Sequence, residues 1–242
     1  AAPQHPLARK LMAATLADLG DVALARKMLD SFGDAGNDPM LNSLQGELAL
    51  RQGDFAQARK YLENAGGASQ QSARHFTELA ASRMGTGDES GAIEALRKAA
   101  ELDTASAKPD ILLVLAHLKE KRYDQAFKAV DKLETERPND PLVENLRGTI
   151  YAAKDDKVQA RANFSKALQI NPAYFPAASN LALLDVMEKN SKAARGRFEA
   201  LLKHAPEESR AWLALAALDA QEKDEAAYLK HLEQAKKANS KN

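Results

Sequence analysis

GTIYAAKDDKVQARANFSKALQINP, residues Gly148–Pro172, carries a glycine, a tyrosine, an alanine, a phenylalanine, a second alanine and a proline at fixed intervals. A catalytic site would hold such residues once, whereas an architectural unit would hold them again at a constant period. The rest of the chain decides between these. Pro138, Pro172 and Pro206 lie 34 residues apart, and so do Ala126, Ala160 and Ala194. Gly148, Ala182 and Ala216 keep the same period, as do Phe164, Phe198 and Leu232. Gly46 precedes Gly148 by 102 residues, three periods of 34, and Asp38-Pro39 precedes Asp140-Pro141 by the same distance. Gly20-Asp21, Gly53-Asp54 and Gly87-Asp88 recur at 33 and then 34. The chain reads as about seven copies of one unit.

Each unit reads as helix–turn–helix. Asp140 is placed to cap a helix that begins at Pro141, where proline's missing N–H costs nothing. Asp155-Asp156 offers a turn and a second cap, and the following helix stops before Pro172 because a residue preceding proline avoids the α conformation. Apolar and small residues fall at helical spacing in both helices, and no segment alternates with period two. Within the unit, Gly148 marks a close approach of the two helices. Tyr151 is expected to fill the space beside it, Ala160 to be the matching small contact, and Phe164 and Ala167 to face the next unit.

This order of small, aromatic, alanine, aromatic, alanine and proline resembles the tetratricopeptide repeat (TPR) over nearly the whole chain. The resemblance implies an all-α superhelical solenoid of about seven helix–turn–helix repeats. The expected organisation is a single solenoid over residues 1–242, a piece of a longer array. Its repeats are less regular over 1–106 and regular over 107–242. Irregular joints, DAGNDP and NAGGASQQS, replace the proline early on. In the seventh copy Tyr228 stands where a small residue belongs, so a one-residue slip is expected there.

Composition narrows the function. Lysine plus arginine equals aspartate plus glutamate, 34 each, with no long run of one sign, which argues against nucleic acid as the main partner. The absence of cysteine removes disulfides, thiolate metal sites and a thiol nucleophile. No apolar run reaches the roughly 20 residues that span a bilayer. The first methionine is Met12, so the chain is expected to be a mature or trimmed piece. MGTGDESG, Met84–Gly91, has neither a preceding strand nor a following Gly-Lys-Ser/Thr, and it reads as an inter-helix turn rather than a phosphate loop. The histidines His5, His75, His117, His204 and His231 lack metal-site spacing, and His117, at the place of Tyr151, reads as a packed, hydrogen-bonded imidazole. No catalytic residue, metal or cofactor is therefore expected, and the chain is not expected to be an enzyme.

A solenoid of this kind binds in the groove lined by its first helices. The family pattern places Leu115, Lys119, Asn145, Thr149, Ser179, Leu183, Arg210 and Leu213 there, with Ile111, Leu118, Leu142, Ala152 and Val186 as neighbours. That mildly apolar groove suits a peptide or protein ligand held by apolar anchors. The carboxylate-gripping TPR pattern of chaperone-binding domains is matched only in fragments (Asn145, Thr149, Asn180, Arg210, Ala214). The asparagine ladder of nucleocytoplasmic glycosyltransferases is not matched by Leu112, Leu146, Asn180 and Ala214.

NLRGTIYAAKDDKVQARANFSKALQINPAYFPAASNLALLD, with its INPAYFPAASNLA junction, resembles the TPR lipoproteins of the exosortase/PEP-CTERM system. That resemblance implies a scaffold in envelope and exopolysaccharide machinery, periplasmic or outer-membrane-associated, with a lipid anchor in the full-length protein; without it, a cytoplasmic location stands. The alternatives are a regulatory or substrate-recruiting arm of a larger enzyme, and a module that self-associates through its solenoid ends.

Overall fold

Helix follows helix through residues 5–33, 36–65 and 72–239, which the structure, a computed structural model, describes; no strand occurs among them. The central residues of the two irregular joints, 34–35 and 66–71, lie outside the described residues. The chain divides after Arg122 into two compact units. The first holds α1 (Pro6–Asp18), α2 (Val22–Asp30), α3 (Pro39–Arg51), α4 (Phe55–Asn64), α5 (Ala73–Gly85), α6 (Glu89–Leu102) and α7 (Lys108–Lys119). The second holds α8 (Tyr123–Glu136), α9 (Pro141–Ala153), α10 (Lys157–Ile170), α11 (Phe175–Met187), α12 (Ser191–His204), α13 (Ser209–Glu222) and α14 (Glu225–Asn239). Within each unit, neighbouring helices pair as hairpins and the hairpins stack.

The turns inside the hairpins explain the period. Gly20, Gly53 and Gly87 adopt left-handed backbone with φ of 85°, 76° and 79°. At the same place in later repeats stand Lys121, Asp155, Lys189 and Lys223, with φ between 54° and 61°. The next residue caps the following helix: Asp21, Asp54, Asp88, Asp156, Asn190 and Asp224 each accept a backbone N–H from the first turn. Asp88 accepts from Gly91 N at 2.9 Å, so MGTGDESG is a turn and cap. Lys223 and Asp224 sit 34 residues after Lys189 and Asn190, so no register slip occurs at the seventh turn. Arg122 holds the capping place at the division between units, and a guanidinium has no acceptor to offer.

A non-glycine residue in left-handed backbone costs roughly 1–2 kcal/mol, and glycine returns part of that gain as unfolded-chain entropy. Lys189→Gly is therefore expected to stabilise the protein by about 0.5 kcal/mol, while Gly87→Ala should cost about 1 kcal/mol. Urea unfolding monitored by circular dichroism checks both.

Inside the repeat the close approach at Gly148 is real, but Phe164 makes it. A Cβ on Gly148 would lie 2.5 Å from the Phe164 ring. Phe164 is 2% exposed and also packs against Ala177, Leu181 and Leu184 of α11, so it joins its own hairpin to the next. Tyr151 packs against the same Ala160–Phe164 cluster. It also meets Phe127 of α8 edge-on, with ring centroids 5.1 Å apart.

That contact belongs to a series of joints whose position is constant and whose chemistry changes. Arg161 on α10 reaches Asp185 at 2.6 Å and Glu188 at 2.8 Å. Arg195 on α12, 34 residues later, reaches Asp219 at 2.7 Å and Glu222 at 2.8 Å. Phe127 occupies the same place on α8 and meets Tyr151, with the Lys154 ammonium 5.7 Å from its ring centre. The first unit keeps this position only in part: Arg26 meets Gln52 at 3.3 Å and Arg59 meets Thr86 at 3.5 Å, but Arg59 also pairs with the cap residue Asp88 at 3.1 Å, and Ile93 on α6 packs in a cluster with Ala116 of α7. Asp185 and Asp219 are each held from a second side as well, by Arg197 at 3.0 Å and by His231 at 2.5 Å. Both carboxylates are buried, which the sequence pattern did not reveal. His117 is buried too, but its Nδ1 has no hydrogen-bond partner among the described residues, contrary to the expectation of a hydrogen-bonded imidazole. Burial pushes its pKa down, aided by the nearby Arg122 charge.

Candidate protein-interaction faces

The first helices of the second unit are α9, α11 and α13. Asn145, Ser179 and Leu213 occupy one repeated place on them, and Thr149 and Leu183 another. Asn145 is buried and accepts a hydrogen bond from Asn180 Nδ2 at 3.0 Å, so it ties α9 to α11 rather than facing outwards. Thr149 is half-buried and donates its hydroxyl to the Asn145 carbonyl at 2.9 Å. Ser179 is half-buried as well. Leu183 is 58% exposed and Leu213 49% exposed, and Met187, which the sequence reading did not single out, is exposed on α11.

Arg210 is exposed but engaged. Its Nε and Nη2 donate to the two oxygens of Glu208 at 2.8 and 2.6 Å, and its guanidinium lies 4.5 Å from the Phe175 ring centre. The hydrogen bond from Arg210 holds the Glu208 carboxyl below its ordinary value, against a smaller opposing effect of burial. In the first unit, α7 exposes Leu115, and Lys119 pairs with Glu89 of α6 at 3.2 Å. Of the neighbours, Ile111, Leu118, Leu142, Ala152 and Val186 are all half-buried. The exposed apolar residues among the candidates are thus Leu115, Leu183 and Leu213, while the polar candidates are largely committed to contacts inside the fold.

The first unit also has a polar face, on α3 and α5. Glu47, Arg51, Arg74 and Glu78 line an open cleft of about 530 Å³ with Leu50 and Thr77. Arg74 bridges Glu47 and Glu78, at 2.8 Å to each, and Arg51 lies 2.7 Å from Glu47. Burial raises the Glu78 carboxyl above its ordinary range, and the hydrogen bond from Arg74 only partly opposes it. No group of three or more histidine or acidic residues placed to hold a metal ion occurs among the described residues. No helix among them is long and apolar enough to cross a membrane.

Comparison with known proteins meets this geometry at the level of the repeat. One family profile described as a tetratricopeptide repeat matches residues 83–150 and 152–218, more than half of the chain, and a second with the same description matches residues 43–107. The chain belongs to the tetratricopeptide repeat family. Among solved structures, the C-terminal part of a TPR repeat-containing protein from Cytophaga hutchinsonii is 17% identical, with 96% of each chain covered and a TM-score of 0.62. YrrB, described as a TPR protein with an unusual peptide-binding site, is also 17% identical, with 72% of this chain and 90% of that one covered and a TM-score of 0.57. MamA from Desulfovibrio magneticus RS-1 is 18% identical over 72% of this chain and 99% of that one, with a TM-score of 0.51. At these identities the likeness is one of fold. No curated protein sequence matches the chain.

The TPR register shows why the cleft residues went unread. Glu47 precedes Leu115 by 68 residues, two periods of 34, and Arg74 precedes Leu142 by the same distance. Both stand at groove places of the repeat, and counting back through the irregular joints finds them.

Proposed function

We propose that this TPR array is a non-catalytic scaffold that holds a peptide or protein segment against the exposed faces of its first helices. TPR proteins in general mediate protein–protein interaction, and the fold is typically non-catalytic. The observation that carries the reading here is the exposure of Leu183 and Leu213 on α11 and α13, helices whose other leucines, Leu181, Leu184, Leu215 and Leu218, are buried. Apolar anchors of this kind take up alternate side chains of an extended or helical segment. YrrB, with its peptide-binding site, lends the reading support from a shared fold. Asn145, Thr149, Ser179 and Arg210 then border the anchors in the second unit, and Leu115 with Lys119 offers a separate anchor in the first. Residues 1–242 act as one interaction module in this reading. We place the module in bacterial envelope and exopolysaccharide machinery on the strength of its INPAYFPAASNLA junction alone.

Affinity capture from envelope extract tests the proposal, with the wild-type chain set against Leu183→Glu/Leu213→Glu and against Leu115→Glu. All three leucines are exposed, so the variants should stay helical and melt within a few degrees of wild type. The expected result is a discrete partner that the double variant loses by at least about tenfold, worth about 1.4 kcal/mol. Equal capture by all three proteins would remove the groove from the function. A lost partner unrelated to the envelope would remove only the exopolysaccharide setting.

A further inference from the structure

The sixth repeat lacks a side chain that the seventh supplies. Trp212 of α13 stacks on the His231 ring of α14, with centroids 5.8 Å apart and 28° between the planes. Its Nε1 donates to the Pro206 carbonyl at 2.9 Å, and the buried Asp219 holds His231 in place. One period of 34 residues earlier, that frame recurs without its indole. Pro172 stands for Pro206, and Arg197, whose Nε donates to the buried Asp185 at 3.0 Å, stands for His231. Trp212 is replaced by Ala178. Asn42, Phe76, Asp110 and Glu144 hold the same place in the second to fifth repeats, so alanine is the smallest residue there from the second repeat to the seventh. Phe76 is a second aromatic ring at this place, with the Lys98 ammonium 5.6 Å from its centre. Where Ala178 stands, an open cleft of about 450 Å³ lies between α10, α11 and α12, walled by Leu168, Pro172, Ala178, Arg197 and Leu201. The corresponding hollow beside Trp212 and His231 is smaller, about 330 Å³. Gly196, at the place of Lys230, leaves the cleft unobstructed, since a Cβ there would meet no atom within 4 Å.

We propose that this cleft receives an aromatic side chain, tryptophan foremost, from a partner protein, seated as Trp212 is seated in the following repeat. Leu168, Ala178 and Leu201 take the apolar body of the ring, the Arg197 guanidinium stacks on its face, and the Pro172 carbonyl accepts the indole N–H. Arg197 is already fixed by a buried carboxylate, so it loses little freedom when the ring arrives. Tryptophan is also the side chain that most often anchors a protein interface from a pocket of this kind. The inference rests on the reading of the chain as an interaction module, but the site is a different one: none of Leu115, Leu183 and Leu213 lines it.

Titration of the full 242-residue chain with N-acetyltryptophanamide, followed through backbone amide chemical shifts, is the test. Wild type should bind the probe with a dissociation constant of about 1 mM or tighter, with the largest shifts at Ala178, Gly196 and Arg197. N-acetylleucinamide should bind at least about threefold more weakly, because it offers Arg197 no ring face. Gly196→Leu fills the cleft from an exposed helix position where nothing obstructs it. It should stay folded by circular dichroism and lose the probe at least about tenfold. No binding, shifts that spare the cleft, equal binding of the leucine analogue, or binding that Gly196→Leu leaves unchanged would each overturn the proposal. Free indole or free tryptophan binding at least about tenfold tighter than N-acetyltryptophanamide would overturn the protein source and assign the cleft to a small aromatic molecule. The Leu183→Glu/Leu213→Glu variant leaves every cleft residue in place, so the groove reading and this one fail separately.

Discussion

Replacing Asp219 by alanine is expected to lower the free energy of unfolding by about 3 kcal/mol, the low end of the cost of breaking a buried ion pair from one side. Asp219 has no exposed surface, and its oxygens meet Arg195 at 2.7 Å and His231 at 2.5 Å. Removing the carboxylate leaves Arg195 with Glu222 as its remaining partner, which keeps the cost at the low end of the range. Glu222→Ala touches the same guanidinium from a half-exposed side and should cost less than about 1 kcal/mol. The contrast between these variants separates burial from ion pairing as such. The pH dependence gives an independent check. Burial works to raise the Asp219 carboxyl, but the hydrogen bonds from His231 and Arg195, with their charges, outweigh it and hold it below 3.8. A carboxyl whose folded value lies below its unfolded one stabilises the fold fully above the unfolded value, and that stability is lost as pH falls through the folded value. The gap between wild type and Asp219→Ala should therefore be constant from neutral pH down to about 4.5 and shrink below about 4. Urea unfolding at a series of pH values measures it. A gap that stays constant to pH 2 would show that packing, not ionisation, carries the effect.

The repeat was legible because every hairpin must solve the same local problems with the same few residues. A left-handed turn selects glycine, a helix start selects aspartate, and a helix stop selects proline, so the spacing survived where the side chains between had drifted. What the period did not show was which face each residue serves. Tyr151 and Gly148 lie three apart on one helix and share the Ala160–Phe164 cluster, yet Tyr151 also makes the joint to Phe127 of α8, a second duty that the spacing does not show. The burial of Asp185 and Asp219 was not legible because the arginines that pair with them lie 24 residues earlier on another helix. The candidate site was half legible. Leu115, Leu183 and Leu213 are exposed where the register placed them, but Leu118 and Leu142 are half-buried, and Asn145 and Arg210 had found partners inside the fold, which only three-dimensional neighbours reveal. The charged cleft on α3 and α5 keeps the 34-residue period but was hidden by joints that lack the proline.

Gly148→Val is expected to cost about 3 kcal/mol, at the upper end of ordinary overpacking. The Cβ alone would come within 2.6 Å of two carbons of the Phe164 ring, a distance at which something must move. Phe164 cannot swing away cheaply, because the same ring is buried against Ala177, Leu181 and Leu184 of the next hairpin. Valine adds two branches to that Cβ and pushes α9 from α10, so the strain reaches two hairpins at once. The other repeats set the scale. Ala182 faces the Phe198 cluster in the next hairpin and is accommodated there, so Gly148→Ala should cost only about 1 kcal/mol after a small shift of the helices. Gly46 instead faces Leu62, where an added Cβ would meet a branched carbon at 2.7 Å. Gly148→Val paired with Phe164→Leu borrows that smaller partner. The double variant should be at least about 1 kcal/mol more stable than the sum of the two single losses, because neighbours that share one clash are not additive. Additive losses in urea unfolding would mean that the helices part freely at Gly148, and that its glycine answers to something other than the Phe164 ring.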